Sequence, residues 1–370
     1  MCNMDVTVCN YQEALDSTIR LLKSDAVDAV LIQGPPGVGK TAMKDAVAAA
    51  LAYMHLFMLK LSHHDVTDVA GIPVPIHDIK RSLFYPSADM LPPSDLTGGL
   101  LVVLDEIGDC NIAQQNLACQ MVFEKAIHSY TFPQGTKFLL TTNRVGDRSG
   151  ANRIVTKLGN RCAVLTLIPT VDNLFNYGSA NGWNPVLLAF LKMHGAERIN
   201  PEDKRENAPT YLNSFDPMAP DQINNPVFSS SRSLEFTSKY LNYVDANEPN
   251  LDPVVLMRDT ATLVGTPTGS KLSAFRRIAI HMPNPDDIAK NPDAVPIPKE
   301  EEVLWSLALT MVSRATKANV ENFAKYLKRG PKEYFVLFGR QCFDVRYQQT
   351  MPILNKVLQD PILKSILLAR

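Results

Sequence analysis

AVLIQGPPGVGKTAMKDAVAAAL (Ala29–Leu51) joins a short apolar run to an alanine-rich one through a glycine loop. Ala29-Val30-Leu31-Ile32 lacks alternation, which suits a strand buried on both faces, as in a parallel sheet. The residues from Ala42 to Leu51 have high helix propensity. Between them Gly34-Pro35-Pro36-Gly37-Val38-Gly39-Lys40-Thr41 fits the phosphate-binding pattern G-x-x-x-x-G-K-[ST]. Glycines let the backbone curl so that several N–H groups face phosphate oxygens, and the following helix turns its positive end to the same anion. Pro35 and Pro36 stiffen the loop by fixing φ. Lys40 supplies a mobile cation for the β- and γ-phosphates, and the Thr41 hydroxyl can ligate Mg²⁺. A glycine turn that matches by chance is the competing reading. The strand before the loop and the helix after it argue against chance.

Working outward, residues 11–24 read as an amphipathic helix. Further short apolar runs lie at Leu56–Leu61, Leu100–Leu104, Phe138–Thr142 and Ala163–Ile168, with Asn111–Lys125 helical between two of them. Strands alternating with helices predict an α/β layer with a parallel sheet. The run at Leu100 ends in Asp105-Glu106, where ligands bind in open sheets. There Asp105 would hold Mg²⁺ and Glu106 would polarise a water as general base. Solvated acids at a strand exit are the plain alternative; their place after a phosphate loop favours the catalytic reading. The run at Phe138 ends in Asn143, whose amide could orient that water. In Gly71–Ser94, Ile72, Val74, Ile76, Ile79 and Leu83 would allow a short hairpin, and a plain surface connection is the equal alternative. His63-His64-Asp65, read as lying on a strand, would point its histidines apart, which argues against a shared metal.

Beyond Pro169 the pattern changes. Val186–Met193, Ser231–Tyr243, most of 252–281, Glu300–Arg314, Val320–Lys328 and Met351–Leu368 read as helices, with a proline- and asparagine-rich stretch over 200–226. Trp183 and Trp305 read as core, and His128 and His194 as packing or surface residues. The 370 residues carry a net charge of -1, so no basic excess points to nucleic acid. Cys2, Cys9, Cys110, Cys119, Cys162 and Cys342 form no CxxC pair and suit reduced thiols. With neither a signal peptide nor a membrane-length apolar run, a cytoplasmic protein with no membrane contact is expected.

On these motifs the chain resembles the AAA+ ATPases, and within them the MoxR-type group, particularly its short phage and bacterial members. The stretches that carry the resemblance are the phosphate loop, SHHDVTDVAGIPVP (62–75), GGLLVVLDEIGDCNIAQQN (98–116), FLLTTNR (138–144), LGNRC (158–162) and Ser229–Phe236. The resemblance implies an AAA+ α/β nucleotide-binding domain over 1–170, a helical lid over 171–246 and a helical C-terminal extension over 247–370. It implies ATP and Mg²⁺ as ligands. Gly34 through Thr41 then serve as Walker A, Asp105 and Glu106 as Walker B, and Asn143 as sensor 1. Arg161 stands where an arginine finger reaches a neighbouring subunit, with Arg148 and Arg153 as competitors, and Arg232 stands at sensor 2. A finger supplied in trans implies a homo-oligomeric ring, typically a hexamer. The family's work is chaperone-like remodelling of a protein partner, often a von Willebrand factor A domain protein. A McrB-like motor in nucleic-acid metabolism, with GTP in place of ATP, is the alternative.

Overall fold

The computed structural model describes residues 7–144, 151–194, 197–198, 210–211, 227–316 and 318–342. Arg148 and the helix expected over Met351–Leu368 lie outside them. The described residues form two compact units that part between Pro169 and Thr170.

In chain order the first unit comprises β1 (Val8–Cys9), α1 (Tyr11–Lys23), β2 (Ala29–Gln33), α2 (Met43–Ala50), β3 (His55–Leu59) and α3 (Val66–Ala70). A hairpin of β4 (Ile72–Ile76) and β5 (Arg81–Tyr85) follows, then β6 (Leu100–Leu104), α4 (Ile112–Glu124) and a second hairpin, β7 (Ala126–Ile127) with β8 (Tyr130–Thr131). It closes with β9 (Lys137–Thr142), α5 (Thr156–Gly159) and β10 (Ala163–Leu167). Six strands make one sheet in the order β1-β10-β2-β9-β6-β3, every neighbouring pair parallel.

The apolar runs are continuous because both faces of the sheet are covered. Leu31, Val102, Leu104, Phe138 and Leu140 join Leu117 and Met121 of α4 in one core. The intervening Val30, Ile32, Leu101, Val103 and Leu139 join Leu22 of α1 and Val47 of α2 in another. This is the period-2 alternation of a strand realised on two buried faces. At the sheet's edge β3 alternates instead, leaving Leu56 and Met58 exposed.

β3 stops at Leu59, short of the expected Leu61, which begins a 3-10 turn over Leu61–His63. His63-His64-Asp65 is therefore not on a strand: His63 ends that turn, and Asp65 caps α3 in a reciprocal box with Asp68. The expected hairpin is present as β4 and β5, with Ile72 opposite Tyr85 and Val74 opposite Leu83. Its Phe84 stacks on His128 in the turn between β7 and β8.

The second unit is mostly helical, with α6 (Val171–Ala180), α7 (Pro185–His194), α8 (Ser231–Asn247), α9 (Pro253–Val264), α10 (Thr266–Ala279), α11 (Pro285–Lys290), α12 (Glu301–Arg314), α13 (Val320–Leu327) and α14 (Lys332–Cys342), and it departs from an all-helical pattern in one short antiparallel pair, β11 (Glu197–Arg198) with β12 (Thr210–Tyr211). Ser230 caps α8, which buries Leu234, Thr237, Ser238, Leu241 and Val244 at helical spacing. α12 is buried nearly all round from Val303 to Val312, which suits its packing on α7, α10 and α14. Trp183 is buried beside Gly178, and Trp305 is partly buried against Tyr334. Among the described residues no helix is long and apolar enough to cross a membrane.

Candidate active site

The chain leaves β2 for the far edge at β3, returns through β6 and β9, and then crosses β2 to β10. The loop after β2 thus opens where the strand order reverses, the place where open α/β sheets bind ligands. Gly34 donates its N–H to Thr142 O at 3.2 Å, and a Cβ on it would lie 2.5 Å from Leu167 O. The loop is pressed between the ends of β9 and β10, and only glycine fits there. Gly37 and Gly39 have φ of 77° and 89°, the left-handed region that glycine adopts without strain. The Tyr11 ring lies against Gly39. No side chain caps α2 at Ala42.

Lys40 is 9% exposed. Its Nζ donates to Gly34 O at 2.8 Å, Pro35 O at 2.7 Å and Asn143 Oδ1 at 2.8 Å. This ties the loop lysine to the amide at the tip of β9. Thr41 Oγ1 donates to Asp105 Oδ1 at 2.6 Å, and Thr141 Oγ1 donates to the same oxygen at 2.6 Å. Burial pushes the Asp105 carboxyl upward, but the hydrogen bonds from Thr141 and Thr41 and the Lys60 charge outweigh it and hold the pKa below the usual value. An ionised carboxylate beside a hydroxyl oxygen is a donor set that suits Mg²⁺, a hard cation that takes oxygen ligands. Thr41 and Asp105 would hold it.

Glu106 follows at φ 56° and accepts from Lys60 Nζ at 2.9 Å. Lys60 also stands 3.4 Å from Asp105 Oδ2. The hydrogen bond to Glu106 raises the Lys60 pKa, against partial desolvation and with help from both carboxylate charges. Burial and the Glu106 charge raise the Asp109 pKa. Lys40, Thr41, Asp105, Glu106 and Asn143 therefore stand together, at the carboxyl ends of β2, β6 and β9. The fold is that of an α/β P-loop protein.

Arg161 is engaged elsewhere. Arg161 donates Nη1 to Cys119 Sγ at 2.7 Å and lies 4.0 Å over the Phe123 ring, both on α4. Arg153 is exposed, and Arg232 is exposed in the first turn of α8, in the helical unit. Three contributors were not singled out from the sequence: Lys60, Thr141 and Tyr11. Lys60 carried a signal, a cation ending an apolar run just as the acidic pair ends another. Thr141 and Tyr11 carried none, because their roles depend on neighbouring strands.

No family model matches the sequence, and no curated protein matches it. Among solved structures, one similar chain is a Cytophaga hutchinsonii protein assigned as an ATPase, at 16% identity and TM-score 0.31, over 43% of this chain and 50% of that one. Another is a point variant of Thermotoga maritima RuvB, at 16% identity and TM-score 0.35, over 86% of each chain. The chain thus spans about half the length of the Cytophaga protein. The fold assignment stands on the strand order and the loop geometry.

Proposed function

We propose that the chain is an AAA+ ATPase of MoxR type, hydrolysing ATP with Mg²⁺ to remodel or assemble a protein partner. What carries the reading is the convergence of Lys40, Thr41, Asp105, Glu106 and Asn143 at the carboxyl end of one parallel sheet. The loop amides and Lys40 would bind the phosphates of ATP. Mg²⁺ bound at Thr41 and Asp105 would supply charge neutralisation on the phosphate oxygens. Glu106 would accept a proton from the attacking water as the bond between the γ-phosphorus and the ADP oxygen breaks, and Asn143 would orient that water. The resemblance further suggests a homo-oligomeric ring, a hexamer, in which Arg161, Arg148 or Arg153 completes a neighbour's site and Arg232 senses the γ-phosphate. Arg161 could serve so only by leaving Cys119 and Phe123. A von Willebrand factor A domain protein is the partner class proposed.

Magnesium-dependent phosphate release tests the reading. Wild type should turn over ATP, and Glu106→Gln should bind ATP with turnover lowered roughly 10²–10⁴-fold. A wild type inert towards ATP with and without magnesium, or a Glu106→Gln protein at full rate, would sink it.

A further inference from the structure

Glu106 sits at φ 56° and ψ 42°, a backbone conformation that a residue with a side chain adopts under strain. Such a conformation persists where its surroundings fix it at several points. On the strand side the Glu106 N–H donates to Thr141 Oγ1 at 3.1 Å. On the other side Ile107–Asp109 form a 3-10 turn, in which the Asp109 N–H donates to Glu106 O at 2.9 Å and the Cys110 N–H to Ile107 O at 3.3 Å.

Two side-chain amides secure the far end of that turn. Asn152 donates its backbone N–H to Gly108 O at 2.6 Å and its Nδ2 to Cys110 O at 3.2 Å. Gln115 of α4, 1% exposed, donates Nε2 to the same Cys110 O at 3.2 Å and to Arg153 O at 3.4 Å. Its Oε1 accepts the Val155 N–H at 2.8 Å. The turn also lies flush on its neighbours: a Cβ on Gly108 would stand 2.3 Å from Thr142 Oγ1 and 3.2 Å from Ala151 Cβ.

We propose that Gln115 and Asn152 are positioning residues for Glu106, a two-amide clamp on Cys110 O that fixes the 3-10 turn, the left-handed backbone of Glu106 before it, and hence the direction of the Glu106 carboxylate. The proposal rests on the reading of Glu106 as the base in hydrolysis. An apolar side chain would fill the space of Gln115 without the desolvation cost of an amide. What the amide adds is direction: its hydrogen bonds all go to backbone groups, in two segments far apart in sequence. Through them the segment after β9 and the turn after β6 move as one piece. Both amides spend their hydrogen bonds on backbone groups, and both act through Glu106.

The test uses the full chain, with phosphate release and equilibrium binding of a fluorescent ATP analogue. Asn152→Ala and Gln115→Met are made singly, and each is combined with Glu106→Gln. Asn152 is exposed, so Asn152→Ala probes the clamp with the core untouched. The expected result is a kcat lowered about tenfold in each single variant, a part of what a general base supplies. KM and analogue affinity stay within about twofold, and neither substitution slows Glu106→Gln further. A hydrolysing wild type alongside both single variants at wild-type kcat would overturn the clamp and leave the hydrolase reading standing. Losses that multiply with that of Glu106→Gln would overturn it too, since general loosening of the fold acts that way. A wild type that binds the analogue and hydrolyses nothing would overturn the hydrolase reading, and the clamp with it.

Discussion

Lys60 meets the acidic pair because of strand register. Leu59 of β3 pairs with Leu104 of β6, so the residues that follow, Lys60 and Asp105, leave the sheet side by side. The Lys60–Glu106 ion pair is partly open, with side chains 33% and 39% exposed, so its contribution to stability should stay within about 1 kcal/mol. Its larger effect should be on chemistry, since it anchors one oxygen of the carboxylate that would activate water. Lys60→Met is expected to lower kcat about tenfold with ATP affinity retained, and Lys60→Arg to restore most of it. Phosphate release from the two variants measures this; equal losses in both would show that the cation is not what matters. Asp105 and Glu106 were legible as residues, because charge at the end of an apolar run stands out. Of the partners that hold them, Lys60 stood out only as a cation ending an apolar run, and Thr141 becomes visible only when the strands lie in register.

At the scale of elements, the loop after β2 depends on contacts with strands that come much later in the chain. A methyl at Gly34 would press on Leu167 O at 2.5 Å, a backbone atom that cannot turn aside. Gly34→Ala should therefore push the loop off the end of β10 and weaken ATP binding by tenfold or more, an expectation of order ~1.4 kcal/mol. Equilibrium titration with an ATP analogue checks this; unaltered affinity would mean that β10 yields. The central strands were readable in the sequence because burial on both faces makes each an unbroken apolar run. The end of β3 was not, because Leu61 stays buried after the strand has ended and so prolongs the pattern. α6 escaped a sequence reading for a different reason. Asn173, Asn176, Gly178 and Ser179 give it weak propensity, and it is kept by the Thr170 cap and by packing of Trp183 and Leu188 against Gly178.

Over the whole molecule, the chain divides into two compact units, and both tryptophans of the chain, Trp183 and Trp305, belong to the helical one. The change in character at Pro169 was legible because continuous strand runs give way to helical spacing there. Arg232 was reached only through the resemblance, because one exposed arginine in a capped first turn has no local pattern of its own. Its proposed role can still be read out. Tryptophan fluorescence follows unfolding of the helical unit, while far-UV dichroism follows both. Bound nucleotide stabilises whatever it touches by RT ln(1 + [L]/Kd), about 2.7 kcal/mol at a hundredfold excess over Kd. For units of this size that is a rise of several degrees in Tm. If Arg232 engages the γ-phosphate, MgATP should raise the fluorescence-detected Tm of the Glu106→Gln protein, which binds without turnover. Adding Arg232→Ala should abolish that rise and leave the part of the dichroism shift that comes from the α/β unit. A fluorescence Tm that rises equally with and without Arg232 would remove this arginine from the site. A fluorescence Tm that ignores MgATP in both proteins would show that the helical unit does not feel the nucleotide at all.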